Sequence, residues 1–472
     1  MKHFLLVISV ILFYSCSKTT ELTYFGGEVV NPKDHYVYLK FQDEIIDSAA
    51  LDKDNRFLFE LTDLAEGVYR FSHGIEFQYI LLEKADSLMA RLNTLEFDES
   101  IIFSGVGAEK NNFLIDMFLL EEDEGYLKRK FYQASPEAFI RKIDSMRDMK
   151  LEEYKELIQE ADLSPLAQHI TKAAIDIPYY TTREHYAAEH KFWMGLEEHP
   201  KLPEGFYSHH QDIDLNDESL AYYGVYLKYI DRHLDHLTRE TCRKVCSTSG
   251  KMNAYHYSTH KLNLIDSLIT LDKLRGFLLE NTAITYFTYD HDKENNSRFM
   301  QQYLEATGGD TSPDLDRFYK AVTSLRKGED FPALELFDSN GQKHLLDASW
   351  FDQKTVFYLW SSDQKMHAKK TLKHIEALKT KYPSYKFIGI NLDTDHEQWK
   401  TTLQQMNVED ATQLRAPDMK YMTKHLAYLR FNRMLVVDQN GKVIEGFGNI
   451  YNLSPLEFSG GTSKVAKARG GI

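Results

Sequence analysis

The hydrophobic period of this chain changes twice, and those changes limit it to a succession of differently built parts. From Thr23 to Ser104 apolar residues come in short alternating runs, as in Val37-x-Leu39-x-Phe41 and Phe57-x-Phe59-x-Leu61, joined by the apolar run Tyr79-Ile80-Leu81-Leu82. Successive side chains of a strand point to opposite faces, so a period of two buries one face and wets the other. Asn31-Pro32, Asp52 to Asn55 and Glu66-Gly67 break the runs at turn-forming residues. The expectation for residues 23–108 is a small antiparallel β-sandwich that acts as a packing or docking module.

After Gly105-Val106-Gly107 the stretches become long, charged and rich in tyrosine. Ser135-Pro136, Ser164-Pro165 and Ser312-Pro313 each read as a helix start. The serine hydroxyl accepts from an amide the helix leaves unpaired, and proline at the first helical position gives up no needed N–H. Residues 109–327 are therefore expected to be α-helical. A third pattern begins near Phe331. Val356 to Trp360 is a continuous apolar run like a buried strand, and Ala368, Leu372, Ile375 and Leu378 form a helical stripe. Phe387 to Leu392 is again continuous, which completes a βαβ unit. A helix from about Glu397 to Met406, a strand from Met434 to Val437, an Asn440-Gly441 turn and a strand from Val443 to Phe447 follow.

Charge and thiol content narrow the function. Fifty-six Lys and Arg against 71 Asp and Glu leave a formal charge of -15, which repels phosphate backbones, so nucleic acid is not an expected partner. The amino terminus carries a basic Met1-Lys2-His3, an apolar run from Phe4 to Tyr14, and Ser15-Cys16 before the polar Ser17 to Glu21. A membrane span needs about 20 apolar residues, so the run reads as a secretory signal. The cysteine after a small residue resembles the lipobox of bacterial lipoproteins, although Phe13 and Tyr14 are bulkier than that motif prefers. The resemblance implies removal of the signal, a lipidated Cys16 as the first mature residue, a linker over 17–22 and a membrane partner. Ordinary signal cleavage with Cys16 lost is the other reading.

No metal and no cofactor is expected. His185-Tyr-Ala-Ala-Glu189-His190 has one residue too many for the inverted zinc-protease motif. Asp212-x-Asp214-x-Asn216 lacks the glycine and the glutamate of a calcium loop, with Tyr223 where the glutamate belongs. His256 and His260 would share a helix face without a third ligand. The chain has three cysteines, Cys16, Cys242 and Cys246. Cys242 and Cys246 would lie on one side of a helix beside Arg243 and Lys244. Inert thiols, a local disulfide and a redox pair all stay open, although bridging helical i and i+4 positions needs strained geometry.

The third part resembles the thioredoxin fold and, within it, the TlpA-type thiol-disulfide reductase family of Gram-negative cell envelopes. Phe331-Pro332, the turn from Asp338 to Gly341, the strand from Val356 to Trp360, Asn391-Leu392-Asp393 followed by Trp399, and Val437-Asp438-Gln439-Asn440-Gly441-Lys442-Val443 carry the resemblance. It covers about residues 331–451, within a domain expected over 328–453 and followed by a disordered tail, 454–472. The two earlier parts resemble, less specifically, the β-module and helical insert that precede this domain in such lipoproteins. The family's chemistry requires Cys-x-x-Cys at the start of the helix after the first strand. Gln364-Lys365-Met366-His367 stands there, no cysteine follows Cys246, and Asn432 replaces the usual cis-proline. The resulting expectation is a multidomain chain of β-sandwich, α-helical region and α/β thioredoxin-like domain. Its function would be that of a lipid-anchored envelope protein, redox-inactive, binding a partner protein or peptide. The alternative is an oxidoreductase that uses Cys242 and Cys246 or a partner's thiols.

Overall fold

The computed structural model describes residues 22–42, 44–245, 253–392, 395–408, 412–428 and 432–451. The signal segment with Cys16, most of the linker, Cys246, Asp393 and the tail from 454 onward lie outside the described residues. The chain divides into two compact units, with residues up to Leu237 and Ile269–Leu274 in the first and Thr238–Leu268 and the residues from Arg275 onward in the second.

The first unit opens with eight strands. They are β1 (Thr23–Val30), β2 (Tyr36–Phe41), β3 (Glu44–Ala50), β4 (Arg56–Leu61), β5 (Gly67–His73), β6 (Glu76–Leu82), β7 (Ser87–Asn93) and β8 (Ile102–Val106). They form two four-stranded sheets, ordered β4-β1-β7-β8 and β3-β2-β5-β6. Phe25, Phe59 and Leu88 from the first sheet share one buried core with Leu39, Phe71 and Ile80 from the second, so the sandwich read from the alternation is present. One pairing departs from the antiparallel expectation, because β1 runs parallel to β7. The chain spends β2 and β3, then β5 and β6, in the other sheet, and β7 returns in the direction of β1. Alternation fixes which face is buried but not the direction of a partner separated by that excursion. Gly27 lies in this parallel pair, where an added Cβ would fall 2.0 Å from the Ala90 carbonyl oxygen.

Helices α1 (Ala108–Phe131), α2 (Pro136–Glu160), α3 (Pro165–Met194) and α4 (Gly224–Val245) follow. Ser135 Oγ accepts from Ala138 N and Ser164 Oγ from Ala167 N, as the Ser-Pro pairs predict. Two residues at the start of α1 fasten it to the sandwich. The Asn111 side chain accepts from Leu81 N at 2.8 Å and donates to Leu81 O at 2.9 Å, so it satisfies the edge of β6 as a further strand would. The buried Lys110 ammonium donates to Glu83 at 2.6 Å and to Asp86 at 2.7 Å. Between α3 and α4 the helical expectation fails. Residues 195–223 are turns and loops apart from one 3-10 turn, Ser208–Gln211. Gly195, Pro200, Pro203 and Gly205 fall in this stretch, and their breaker chemistry, overlooked in the helical expectation, accounts for the difference.

In the second unit, α5 (Ala254–Leu268), all but the first three residues of α6 (Asp272–Tyr289), α7 (Lys293–Ala306) and α8 (Pro313–Ser324) precede the α/β domain. That domain comprises β9 (Leu334–Phe337), β10 (Lys343–Leu346), β11 (Thr355–Trp360), α9 (Lys365–Lys381), β12 (Lys386–Asn391), α10 (His396–Gln405), β13 (Gln413–Arg415), α11 (Met419–Leu426), β14 (Arg433–Val437) and β15 (Val443–Asn449). Its seven-stranded sheet runs β10-β9-β13-β12-β11-β14-β15. The strands β11 and β12 are parallel across α9, β14 is antiparallel to β11, and β14 and β15 form the hairpin. This is the thioredoxin-like arrangement expected from the βαβ and Asn-Gly signals. Val356, Tyr358 and Trp360 pack on one face with Ala368, Leu372 and Ile375 of α9, while Phe357 and Leu359 face the other core. Burial on both faces explains why β11 reads as a continuous apolar run. Leu325, just after α8, is fully buried in that second core.

Candidate functional site

In the α/β domain the chain leaves β11 at Trp360, buries Ser361 and Ser362, and enters α9 with Gln364 as its amino-terminal cap. The Gln364 side chain makes no capping hydrogen bond and is exposed. Lys365 and Met366 are exposed in the first turn, Met366 to 85%. His367 is half-buried, and its Nε2 lies 2.8 Å from Asn432 Oδ1. A carbonyl oxygen can only accept, so Nε2 carries the proton. Thr371 Oγ1 lies one turn further along, 3.3 Å from the same nitrogen and 2.7 Å from the Tyr451 hydroxyl. The structure thus brings together Gln364, Lys365, Met366, His367 and Asn432, the positions singled out from sequence, and joins the last two directly.

The ground beneath this turn is rigid. Trp360 Nε1 donates to Gln413 Oε1 at 3.0 Å, and Gln413 Nε2 donates to the Tyr358 hydroxyl at 2.7 Å, all buried. Burial pushes the Tyr358 hydroxyl pKa far up, so it remains a neutral hydrogen-bonding group. Behind Asn432, the buried Arg433 guanidinium donates to the carbonyls of Leu426, Ala427 and Gly446. The outer face of α9 is basic, with Lys365, Lys369, Lys370 and Lys373 exposed. This constellation can hydrogen-bond and attract anions. Its one sulfur is the Met366 thioether, and with no thiol it cannot form or resolve a mixed disulfide.

The other residues weighed from sequence sit in structural settings. Cys242 is buried on α4, which shields a thiol from disulfide substrates, and its suggested partner Cys246 lies outside the described residues. His190 Nδ1 is 2.8 Å from the Tyr132 carbonyl oxygen, and Glu189 accepts from Trp193 Nε1 at 3.0 Å. Asp214 accepts from Asn216 N at 2.8 Å within a local turn. His256 meets its neighbour Tyr255 edge-on on α5.

In the first unit the structure gathers a cluster that sequence spacing missed. Glu184 of α3 is 1% exposed at its side chain and meets His209, His210, His233 and His236. Burial alone would raise the Glu184 pKa, but hydrogen bonds with His209, His210 and His233 outweigh it and hold the group well below the carboxylate range. Burial lowers the His209 pKa against the pull of Glu184. The available signals were the tandem His209-His210 and the His233-x-x-His236 spacing on α4. Their carboxylate, however, is 25 residues from the nearer histidine.

Comparison with known proteins bears on the α/β domain. The thioredoxin-like family model matches residues 352–443. Among solved structures, the thioredoxin domain of a thiol-disulfide oxidoreductase from Bacteroides vulgatus is 22% identical, covering 26% of this chain and 88% of that one, with a TM-score of 0.22. A thiol-disulfide oxidoreductase from Bacteroides fragilis is 19% identical, covering 27% of this chain and 98% of that one, with a TM-score of 0.24. Similarity at this level carries no argument about chemistry. No curated protein matches the chain.

Proposed function

We propose that this chain is a lipid-anchored cell-envelope protein whose thioredoxin-like domain binds a segment of a partner protein without exchanging disulfides. The observation that carries the reading is the first turn of α9, where Gln364 and His367 occupy the thiol positions and His367 is held by Asn432. A catalytic pair needs one thiolate to attack and a second to resolve, and an amide and an imidazole do neither. Met366 instead offers a flexible apolar side chain to a partner. The lysines behind it favour an acidic segment through charge complementarity.

A photocrosslinking residue at position 366 of the full chain, expressed in its source cell, should capture one discrete envelope protein. Ile75, the fully exposed control site in the sandwich, should not. Lys369→Glu with Lys370→Glu and Lys373→Glu should abolish the adduct. Identical patterns at 366 and 75, or an adduct indifferent to the charge reversal, would rule out recognition at this turn.

The anchor rests on the Phe4 to Tyr14 run and Ser15-Cys16. Among the described residues no helix is long and apolar enough to cross a membrane. Intact-mass analysis should find a diacylglyceryl-modified Cys16 and detergent-phase partition, and Cys16→Ser should abolish both. An unmodified amino terminus on the mature protein would refute the anchor.

A further inference from the structure

The geometry around Glu184 points to a binding site for one divalent transition-metal ion, held by Glu184, His209 and His210, whose ligand atoms lie within 4.8 Å of one another, with His233 supporting the carboxylate from α4. His209 Nε2 and His233 Nδ1 each lie 3.1 Å from Glu184 Oε1, and His210 Nε2 meets the same oxygen. The three imidazole nitrogens come from two separate segments, the 3-10 turn and α4. A carboxylate oxygen has about two lone-pair sites, so three N–H donors on Oε1 exceed what it accepts as hydrogen bonds. Meanwhile Oε2 is buried and has no hydrogen-bond partner, with His236 Nδ1 3.7 Å away. Three donors crowded at one oxygen beside an unused one is a poor hydrogen-bonding arrangement and a natural ligand arrangement. Two ligands each about 2.1 Å from a zinc ion stand roughly 3.0–3.4 Å apart for bond angles between octahedral and tetrahedral. The His209 separation falls in that range, and the His210 nitrogen, which sits closer to Oε1, would move outward to share an ion.

The surroundings fix the rings as a metal site requires. Tyr180 stacks on His209 at 5.1 Å, Tyr207 on His210 at 5.2 Å and Tyr229 on His233 at 5.6 Å, each within 17° of parallel. Each imidazole is thereby held in plane by its own tyrosine, so its nitrogen is pre-aimed. Arg183, adjacent in sequence, turns its guanidinium to the Gly205 and Phe206 carbonyls and helps position the loop that carries His209. Two imidazoles and one carboxylate suit Zn²⁺ and its first-row neighbours, and exclude a calcium or magnesium preference, since those ions take oxygen ligands. Three protein donors leave one position of a tetrahedral ion for water. The consequence is mechanical: one ion would tie the 3-10 turn, in the long non-helical connection 195–223, to α3, while His233 of α4 hydrogen-bonds the same carboxylate.

The test uses the full-length mature protein in detergent, stripped with a chelator and titrated with Zn²⁺ against a chromophoric competitor, with bound metal counted by elemental analysis. One Zn²⁺ per chain is expected, together with a rise in melting temperature. Co²⁺ in its place should give visible d–d absorption. His210→Ala alters the most exposed of the three ligands, 24% at the side chain, and should weaken Zn²⁺ at least tenfold with circular dichroism unchanged. Glu184→Gln should do the same. His256→Ala with His260→Ala, on α5 and outside the ligand group, should leave binding intact. Less than half an equivalent of Zn²⁺, or equal affinity in wild type and His210→Ala, would overturn the site. If Glu184→Gln fails to fold, His210→Ala and the cobalt spectrum decide the matter.

Discussion

Arg433→Ala is expected to cost the thioredoxin-like domain about 3–5 kcal/mol, because it leaves three buried carbonyls without donors at about 1–3 kcal/mol each. Arg433 Nε and Nη2 both donate to Gly446 O, at 2.9 and 2.7 Å, and Nη1 donates to Ala427 O at 2.6 Å and to Leu426 O. Its guanidinium also lies 4.5 Å from the Phe447 ring centroid. One side chain therefore joins the end of α11, where Ala427 adopts a left-handed φ of 46°, to β15. Burial lowers the Arg433 pKa, with Glu445 and Tyr428 acting in the opposite direction. Removing the charge relieves some desolvation, which is why the estimate stays below the sum for three orphaned groups. Arg433→Lys should recover little, since an ammonium is a point charge and cannot reproduce the planar fork. Urea unfolding followed by tryptophan fluorescence measures both variants. A loss under about 1 kcal/mol for Arg433→Ala would show that the carbonyls find other donors.

Arg433 also marks the limit of what the sequence made legible. The missing proline at Asn432 is visible from the motif, but nothing local shows that the next residue is buried and holds two other elements. The three Ser-Pro pairs, the Val356 to Trp360 strand and the Asn440-Gly441 turn are legible because each acts within one element or between neighbours. The parallel pairing of β1 with β7 and the histidines around Glu184 depend on segments brought together from afar, and neither leaves a periodic trace. His209 and His210 carry no spacing signature because they sit on a 3-10 turn inside a stretch that the helical expectation wrongly covered. At the α9 turn the motif located every residue, and the structure added the contact between His367 and Asn432.

The other large effect is a gain of chemistry. Gln364→Cys with His367→Cys should convert an inert turn into a dithiol that cycles with dithiothreitol. Position 364 is the cap of α9 and 367 lies three residues on, in its first turn, so the new thiols sit where the helix dipole and unpaired amides favour thiolate. The first would attack a substrate disulfide, and the second would displace the substrate thiol and close an internal disulfide. The scaffold under them is unchanged, because Trp360, Gln413 and Tyr358 hydrogen-bond among themselves. Mass analysis under mild oxidation should show the double variant two hydrogens lighter than its reduced form.

The most direct measurement of the central claim is reduction of insulin by dithiothreitol in the presence of the full-length wild-type protein, with the double-cysteine variant as the positive control. The account predicts a wild-type trace that coincides with the no-protein blank and a variant trace that precipitates insulin early. Acceleration by the wild type, lost on Cys242→Ser with Cys246→Ser, would contradict it and move the chemistry to the helical cysteines.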